Sequence, residues 1–187
     1  RVVYVNGSFV DEDKAKVSVF DRGFLFADAV YEVTAVIDGK ILEWDGHVKR
    51  LERSLKELDM KFPISETELL DIHFDLIKKN TLKEGLIYLQ VTRGEDDRSF
   101  DYPDESVKPT LVLFTQVKSL AESNIAKTGL KVISVPDMRW GRRDIKTVQL
   151  LAPSMCKMMA KKKNKDDAWM IQDGFITEGT SNNAYII

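Results

Sequence analysis

Two short stretches restrict what this chain can fold into. In "VVYVNGSFV" (2–10) and "YEVTAVIDGKIL" (31–42), runs of β-branched and aromatic residues flank Asn6-Gly7 and Asp38-Gly39. Both pairs tolerate positive φ at the two central positions of a tight turn, so each stretch predicts a hairpin, and two hairpins so early predict an antiparallel sheet. Within the second, the period of two sets Val33, Ala35 and Ile37 on one face. The runs "GLIYLQVTRG" (85–94) and "TLVLFTQV" (110–117) read as strands too apolar to be exposed on both faces. A charged, proline-containing loop, "EDDRSFDYPDESVKP" (95–109), separates them.

Helical periodicity occupies the space between the hairpins and these strands. In "WDGHVKRLERSLKELDM" (44–60), Val48, Leu51, Leu55 and Leu58 recur at helical spacing with charges on the other side. Ser65 and Glu68 have the spacing of a capping box and open a second helix, with Leu69, Ile72, Phe74, Leu76 and Ile77 at its apolar positions and His73 on its polar side. A polar stretch, "SLAESNIAKTG" (119–129), follows. It is read as a linker between a domain at 1–118 and a second at 130–187. The second would hold the strand "LKVISV", a loop around Lys146, a helix from about Val148 to Lys162 that ends in the basic "KKKNK", and the strands "AWMIQ" and "FITEG".

Composition narrows the partners. The 187 residues suffice for one large domain or two small ones, and 28 Lys+Arg against 30 Asp+Glu give no global signal for nucleic acid. No run of eighteen apolar residues exists, and the first residues resemble no signal peptide, so the expected setting is the cytoplasm, without membrane or nucleic-acid partners. One cysteine, Cys156, and two histidines make a Cys/His zinc site unexpected, and Cys156 lies in "SMCKMMA", where packing is its expected role. The sequence begins without methionine and stops in the alternating run "SNNAYII", which reads as a strand cut in mid-course, so part of the protein is expected to be absent.

The chemistry centres on "RWGRRDIKTVQLLAP" (139–153), where Lys146 walks into an apolar run. A lysine becomes a nucleophile toward carbonyls when its ammonium readily loses a proton, and apolar surroundings or neighbouring cations favour that loss. The apolar run follows Lys146, and Arg139, Arg142 and Arg143 precede it. From the residues alone two roles stay open: an ordinary lysine paired with Asp144 or reaching out to solvent, and a Schiff-base lysine.

A resemblance bears on that choice. "DRGFLFADAVYEV" (21–33), "HVKRL" (47–51), "YLQVTRG" (88–94), "DIKTVQLL" (144–151) and "TEGTSNN" (177–183) occur in the order and spacing of the class IV pyridoxal-phosphate aminotransferases. Within that family the chain is most similar to the D-amino acid aminotransferases. The resemblance implies a two-domain α+β fold whose C-terminal, cofactor-binding domain is truncated in this sequence, and a homodimer. It implies that Lys146 joins pyridoxal 5'-phosphate as a Schiff base and acts as the catalytic base. Glu178 would hydrogen-bond the pyridine nitrogen, although by itself it reads as an acid at a strand end. Arg50 would hold the phosphate, although helical spacing puts it beside the apolar face and suggests a solvated arginine. Thr180 and Ser181 would add donors to the cofactor, here in "TSNN" where the family commonly has "SSSN".

Tyr31 and Arg98 would bind the substrate carboxylate, with Arg22 or Arg143 as further candidate cations. A histidine usual two residues after that arginine is Phe100 here. The implied reaction is ping-pong transamination between a D-alanine-like D-amino acid and a 2-oxo acid. Branched-chain or amine transamination, and aminodeoxychorismate lysis, are alternatives found on the same fold.

Overall fold

A computed structural model describes residues 1–122 and 124–182, so the strand expected in 183–187 lies outside the described residues. The contacts divide the chain into two units. The first is Arg1–Ala121 together with Asp144–Val148, and the second is Glu122–Arg143 with the residues from Gln149. The segment around Lys146 therefore belongs with the first unit.

The first unit contains β1 (Val2–Val5), β2 (Ser8–Asp11), α1 (Arg22–Phe26), β3 (Ala29–Ile37), β4 (Lys40–Ile41), α2 (Trp44–Glu57), α3 (Glu66–Lys79), β5 (Gly85–Thr92) and β6 (Thr110–Val117). The strands form a six-stranded sheet in the order β2-β1-β6-β5-β3-β4, antiparallel at every pairing. Both hairpins close as their turn residues require: φ is 45° and 92° at Asn6 and Gly7, and 51° and 71° at Asp38 and Gly39.

The two faces of this sheet differ. On one, Val30, Val36, Ile87, Leu89, Val91, Leu111 and Leu113 are buried, and α2 and α3 pack on the sheet. Each large aliphatic side chain withdrawn from water there contributes about 1.5–3 kcal/mol. Val33, Ala35 and Ile37 do share a face, but it is the half-exposed one; the deeper face of β3 carries Val30, Glu32, Thr34 and Val36. Alternation places residues in two sets without saying which set faces the core.

Both long helices form where the periodicity puts them. Val48, Leu51, Ser54 and Leu55 are the buried line of α2, and Leu58 is its C-cap. In α3 the capping box between Ser65 and Glu68 is present in both directions. The expectation for His73 and Phe74 is reversed: His73 is buried and Phe74 is half exposed. The buried line is Leu69, Ile72, His73 and Leu76, the i, i+3, i+4, i+7 set, and Phe74 lies off it. His73 tolerates burial because its Nδ1 donates to the Leu69 carbonyl at 2.7 Å, and its ring meets Trp44 edge-on at 4.9 Å. Burial lowers its pKa to about 4.

The second unit contains α4 (Asn124–Thr128), β7 (Val132–Pro136), α5 (Leu151–Lys162), β8 (Asp167–Gln172) and β9 (Phe175–Gly179). β8 pairs in parallel with β7 and antiparallel with β9. Val135, Cys156, Ala160, Ala168 and Met170 form its core, so Cys156 is a packing residue. The polar stretch read as a linker contains the short helix α4. α5 starts at Leu151 and not at Val148, because the Val148 N–H is engaged by the Ala29 carbonyl and Thr147 is bridged to Val30 of β3.

Candidate active site

The site in the first unit begins with an unfinished sheet edge. β4 covers only Val36 and Ile37 of β3, which leaves the N-terminal half of that strand with unpaired backbone groups. The segment around Lys146 fills the gap: Tyr31 N–H donates to the Lys146 carbonyl at 3.0 Å and Val148 N–H to the Ala29 carbonyl at 3.2 Å. α2 holds the segment as well. Ser54 Oγ accepts from the Lys146 N–H at 3.3 Å, and the Arg53 guanidinium donates to the Asp144 carbonyl. Ile145 and Thr147, on either side of Lys146, are buried.

The side chain of Lys146 is half-buried against Tyr31. Its Nζ donates to the Tyr31 hydroxyl at 3.4 Å and stands 4.4 Å from the ring centroid. Among the described residues it meets no carboxylate, so the pairing with Asp144 left open by the sequence does not occur. Tyr31 is held in turn. Its ring stacks on Tyr88 at 5.7 Å and Tyr88 stacks on Phe114 at 4.9 Å, an aromatic row across β3, β5 and β6 on the half-exposed face. Burial, aided by Tyr31, raises the Tyr88 pKa to about 12, and its hydroxyl donates to Gln90 at 2.8 Å.

Arg50 lies at a charged cluster that sequence reading missed. Its Nε and Nη2 donate to the two carboxylate oxygens of Glu32 at 2.7 and 2.6 Å, and His47 Nδ1 is 2.7 Å from the same carboxylate. Glu32 is 3% exposed. Burial alone would raise its pKa, but the hydrogen bonds from Arg50 and His47 hold it below the usual value. The available signal was a lone acid inside "AVYEVTAVI", followed in the next helix by "HVKR".

Arg98 lies in the 95–109 loop, against the rings of Phe26 and Phe100 at 5.5 and 5.6 Å. Arg22, named as an alternative cation, is 3% exposed. It donates to Asp28 at 2.9 Å and to the carbonyls of Ser99 and Asp101. Those bonds make it a support of the loop, not an open cation.

In the second unit, Glu178 is half exposed and ion-paired with Arg139. Arg139 also donates to Asp137, and Arg143, the other alternative cation, is engaged by Asp137 and Gln172. Asp137 has no exposed side-chain surface. The hydrogen bond from Arg139, with Thr177 adding to it, holds its carboxyl far below the usual range against burial. Arg139 and Arg143 are thus bound to a carboxylate, and the cation effect expected of them around Lys146 has no support in their contacts. Thr180 donates its hydroxyl to Asp167, which Asn182 and Lys157 also hold, and Ser181 is exposed.

Taken unit by unit, the donor chemistry suits the cofactor that the resemblance implies. In the first, Lys146 offers an amine with no carboxylate partner among the described residues and Arg50 a guanidinium suited to phosphate; in the second, Glu178 offers a carboxylate suited to a ring nitrogen.

Fold and motifs together define a class of protein. Residues 29–187 match the family described as amino-transferase class IV, and the chain belongs to that family, whose members depend on pyridoxal phosphate. Among individual proteins, it is 36% identical over 185 residues to the D-alanine aminotransferase of Staphylococcus haemolyticus, an alignment that covers 99% of this chain and 65% of that one. The chain thus spans just under two thirds of the length of that relative. Two solved structures share the fold. The branched-chain amino acid aminotransferase of Escherichia coli superimposes with a TM-score of 0.82 at 19% identity, over 96% of this chain and 62% of that one. The 4-amino-4-deoxychorismate lyase of Pseudomonas aeruginosa gives 0.75 at 21%, over 96% and 64%. No described helix is long and apolar enough to cross a membrane.

Proposed function

We propose that this protein is a pyridoxal-phosphate aminotransferase that moves the amino group of a D-amino acid to a 2-oxo acid. The observation that carries the proposal is the Lys146 amine, fastened by its backbone to the edge of β3 and facing the Tyr31 hydroxyl with no carboxylate partner among the described residues. When bound, pyridoxal phosphate supplies a carbonyl for that amine and a ring that takes up the electron pair released at Cα. Lys146 Nζ, once free, removes the Cα proton of the donor as general base. Tyr31 orients Nζ through its hydroxyl and, with Arg98, receives the substrate carboxylate.

Arg50 would hold the phosphate, with Glu32 and His47 fixing its guanidinium. Glu178, itself held by Arg139, would hydrogen-bond the pyridine nitrogen, and Thr180 and Ser181 would add donors. The domain limits at 118 and 130, a homodimeric assembly and a cytoplasmic setting complete the proposal. Support for the D-amino acid comes from the D-alanine aminotransferase relative.

The test is an absorbance spectrum of the protein with pyridoxal phosphate, before and after D-alanine and L-alanine, beside Lys146→Ala. A cofactor band that needs Lys146 and bleaches with D-alanine alone is the expected result. A band that neither isomer changes removes the D-alanine assignment and leaves a lyase or another donor specificity. Absence of any Lys146-dependent band removes the enzyme assignment.

A further inference from the structure

The 95–109 loop is rich in acids, and its one arginine ignores all of them. Glu95, Asp96, Asp97, Asp101, Asp104 and Glu105 lie within seven residues of Arg98. Elementary electrostatics favours at least one ion pair in such company. Among the described residues, however, Arg98 has no carboxylate or hydrogen-bond partner. Its contacts are the rings of Phe26 and Phe100, with its guanidinium carbon 5.5 Å from one centroid and 5.6 Å from the other. The two rings meet each other edge to face at 5.6 Å and 61°.

The neighbouring arginines show what a structural arginine looks like here. Arg22 and Arg93 are both buried, both donate to Asp28, and both reach backbone carbonyls. Arg98 is exposed and does none of this.

Phe100 is equally out of place as a core residue, being 82% exposed. Its position is nevertheless fixed. The carbonyls of Ser99 and Asp101, on either side of it, both accept from Arg22 Nη1, at 2.7 and 3.2 Å. The loop leaves the sheet at Gly94, where φ is 105° and a Cβ would stand 2.2 Å from the Lys108 carbonyl oxygen, so only glycine fits. Arg22 also stacks on Phe26 at 4.5 Å, which anchors the second ring. The backbone network thus presents two aromatic rings at defined places, and the exposed guanidinium of Arg98 lies against them.

We propose that Phe26 and Phe100 are positioning residues that hold the Arg98 guanidinium against their rings and leave its N–H edge open for the carboxylate of an incoming amino or oxo acid. Aromatic contact orients a guanidinium without using its donors, whereas an ion pair to a loop acid would consume them. A hydrogen-bond donor at position 100 is then unnecessary, because the ring orders the receptor and need not bind the ligand. The role rests on the carboxylate-binding assignment of Arg98 in the proposed function.

The test follows the arginine Nε–Hε signals of the isotopically labelled protein by NMR during titration with D-lactate, a carboxylate of substrate shape that has no amine to react. Three proteins are compared: wild type, Phe100→Leu and Phe100→Tyr, the exposure of position 100 leaving the fold intact in each. The expected result is an Arg98 signal displaced by ring currents in wild type and Phe100→Tyr and not in Phe100→Leu. D-lactate moves that signal, and its apparent Kd weakens roughly threefold in Phe100→Leu and is restored in Phe100→Tyr. Equal D-lactate affinity in wild type and Phe100→Leu, or an Arg98 signal that D-lactate leaves in place, overturns the proposal. Neither readout involves Lys146 or the cofactor, so failure of the clamp and failure of the transaminase assignment are told apart.

Discussion

The two faces of the six-stranded sheet are built from the same strands by the same alternation, yet they do different work. On the face beneath α2 and α3, Val30, Val36, Ile87, Leu89 and Leu113 are nearly free of solvent, and the buried acid of β3, Glu32, is engaged by Arg50 and His47. On the other, Tyr31, Tyr88 and Phe114 form a half-exposed aromatic row, and at its end the Lys146 amine has a phenol for company and no counter-ion among the described residues. A close-packed face fixes where the strands lie. The other face can then hold a reactive group whose placement costs stability little. β3 joins the two, since Tyr31 and Glu32 are adjacent residues pointing to opposite sides.

Substitutions on either face should therefore separate activity from stability. The largest effect expected is that of Lys146→Ala, which should lower transamination by at least about 10⁴-fold while the urea midpoint shifts by an amount worth no more than about 0.5 kcal/mol. Next, Leu89→Ala on the covered face should destabilise the first unit by about 3 kcal/mol in urea unfolding. If Lys146→Ala costs as much stability as Leu89→Ala, the division between faces fails.

His73 gives the covered side a pH dependence. Its folded pKa, about 4, lies below the ordinary 6.5, so the unfolded chain takes up the proton first as pH falls. The stability tied to neutral His73 is complete above pH 6.5 and declines by about 3 kcal/mol at most on the way to pH 4. Unfolding free energies from pH 7 to 4 should fall less steeply in His73→Leu than in wild type, and equal slopes would show that this group does not contribute.

Glu32→Ala leaves Arg50 and His47 without their carboxylate. Arg50 retains access to water, with 42% of its side chain exposed, so the expected loss is about 2 kcal/mol, below that for a fully buried pair. Urea unfolding checks it. The smallest effect concerns the reactive face: Tyr31→Phe should reduce kcat by about tenfold with a stability change under about 1 kcal/mol, because the ring stacking remains and only the hydroxyl at Lys146 is lost. An unchanged kcat would show that the hydroxyl does not orient the amine.

How much of this was legible in the sequence depended on whether the signal was local. The hairpins at Asn6-Gly7 and Asp38-Gly39 and the capping box at Ser65 were, because turn and cap chemistry act over a few residues. The His73 and Phe74 exchange was not, because polarity is a poor guide when a ring nitrogen can donate to the carbonyl four residues back. Glu32 escaped notice because its partners come from another element, and pattern reading counts an acid in a strand as a surface residue. The docking of 145–148 on β3 was invisible for the same reason, since it depends on β4 being too short to cover the edge. Lys146 itself stood out as an oddity of pattern, and only the family motifs raised it above an ordinary ion-paired lysine.

The central claim is that Lys146 is the amine that takes the cofactor. Incubation of the protein with pyridoxal phosphate, reduction with borohydride and peptide mapping by mass spectrometry tests it without reliance on turnover. The account predicts one modified peptide, containing Lys146, that is absent in Lys146→Ala. Stable labelling at a different lysine, or labelling that persists unchanged in Lys146→Ala, would contradict it.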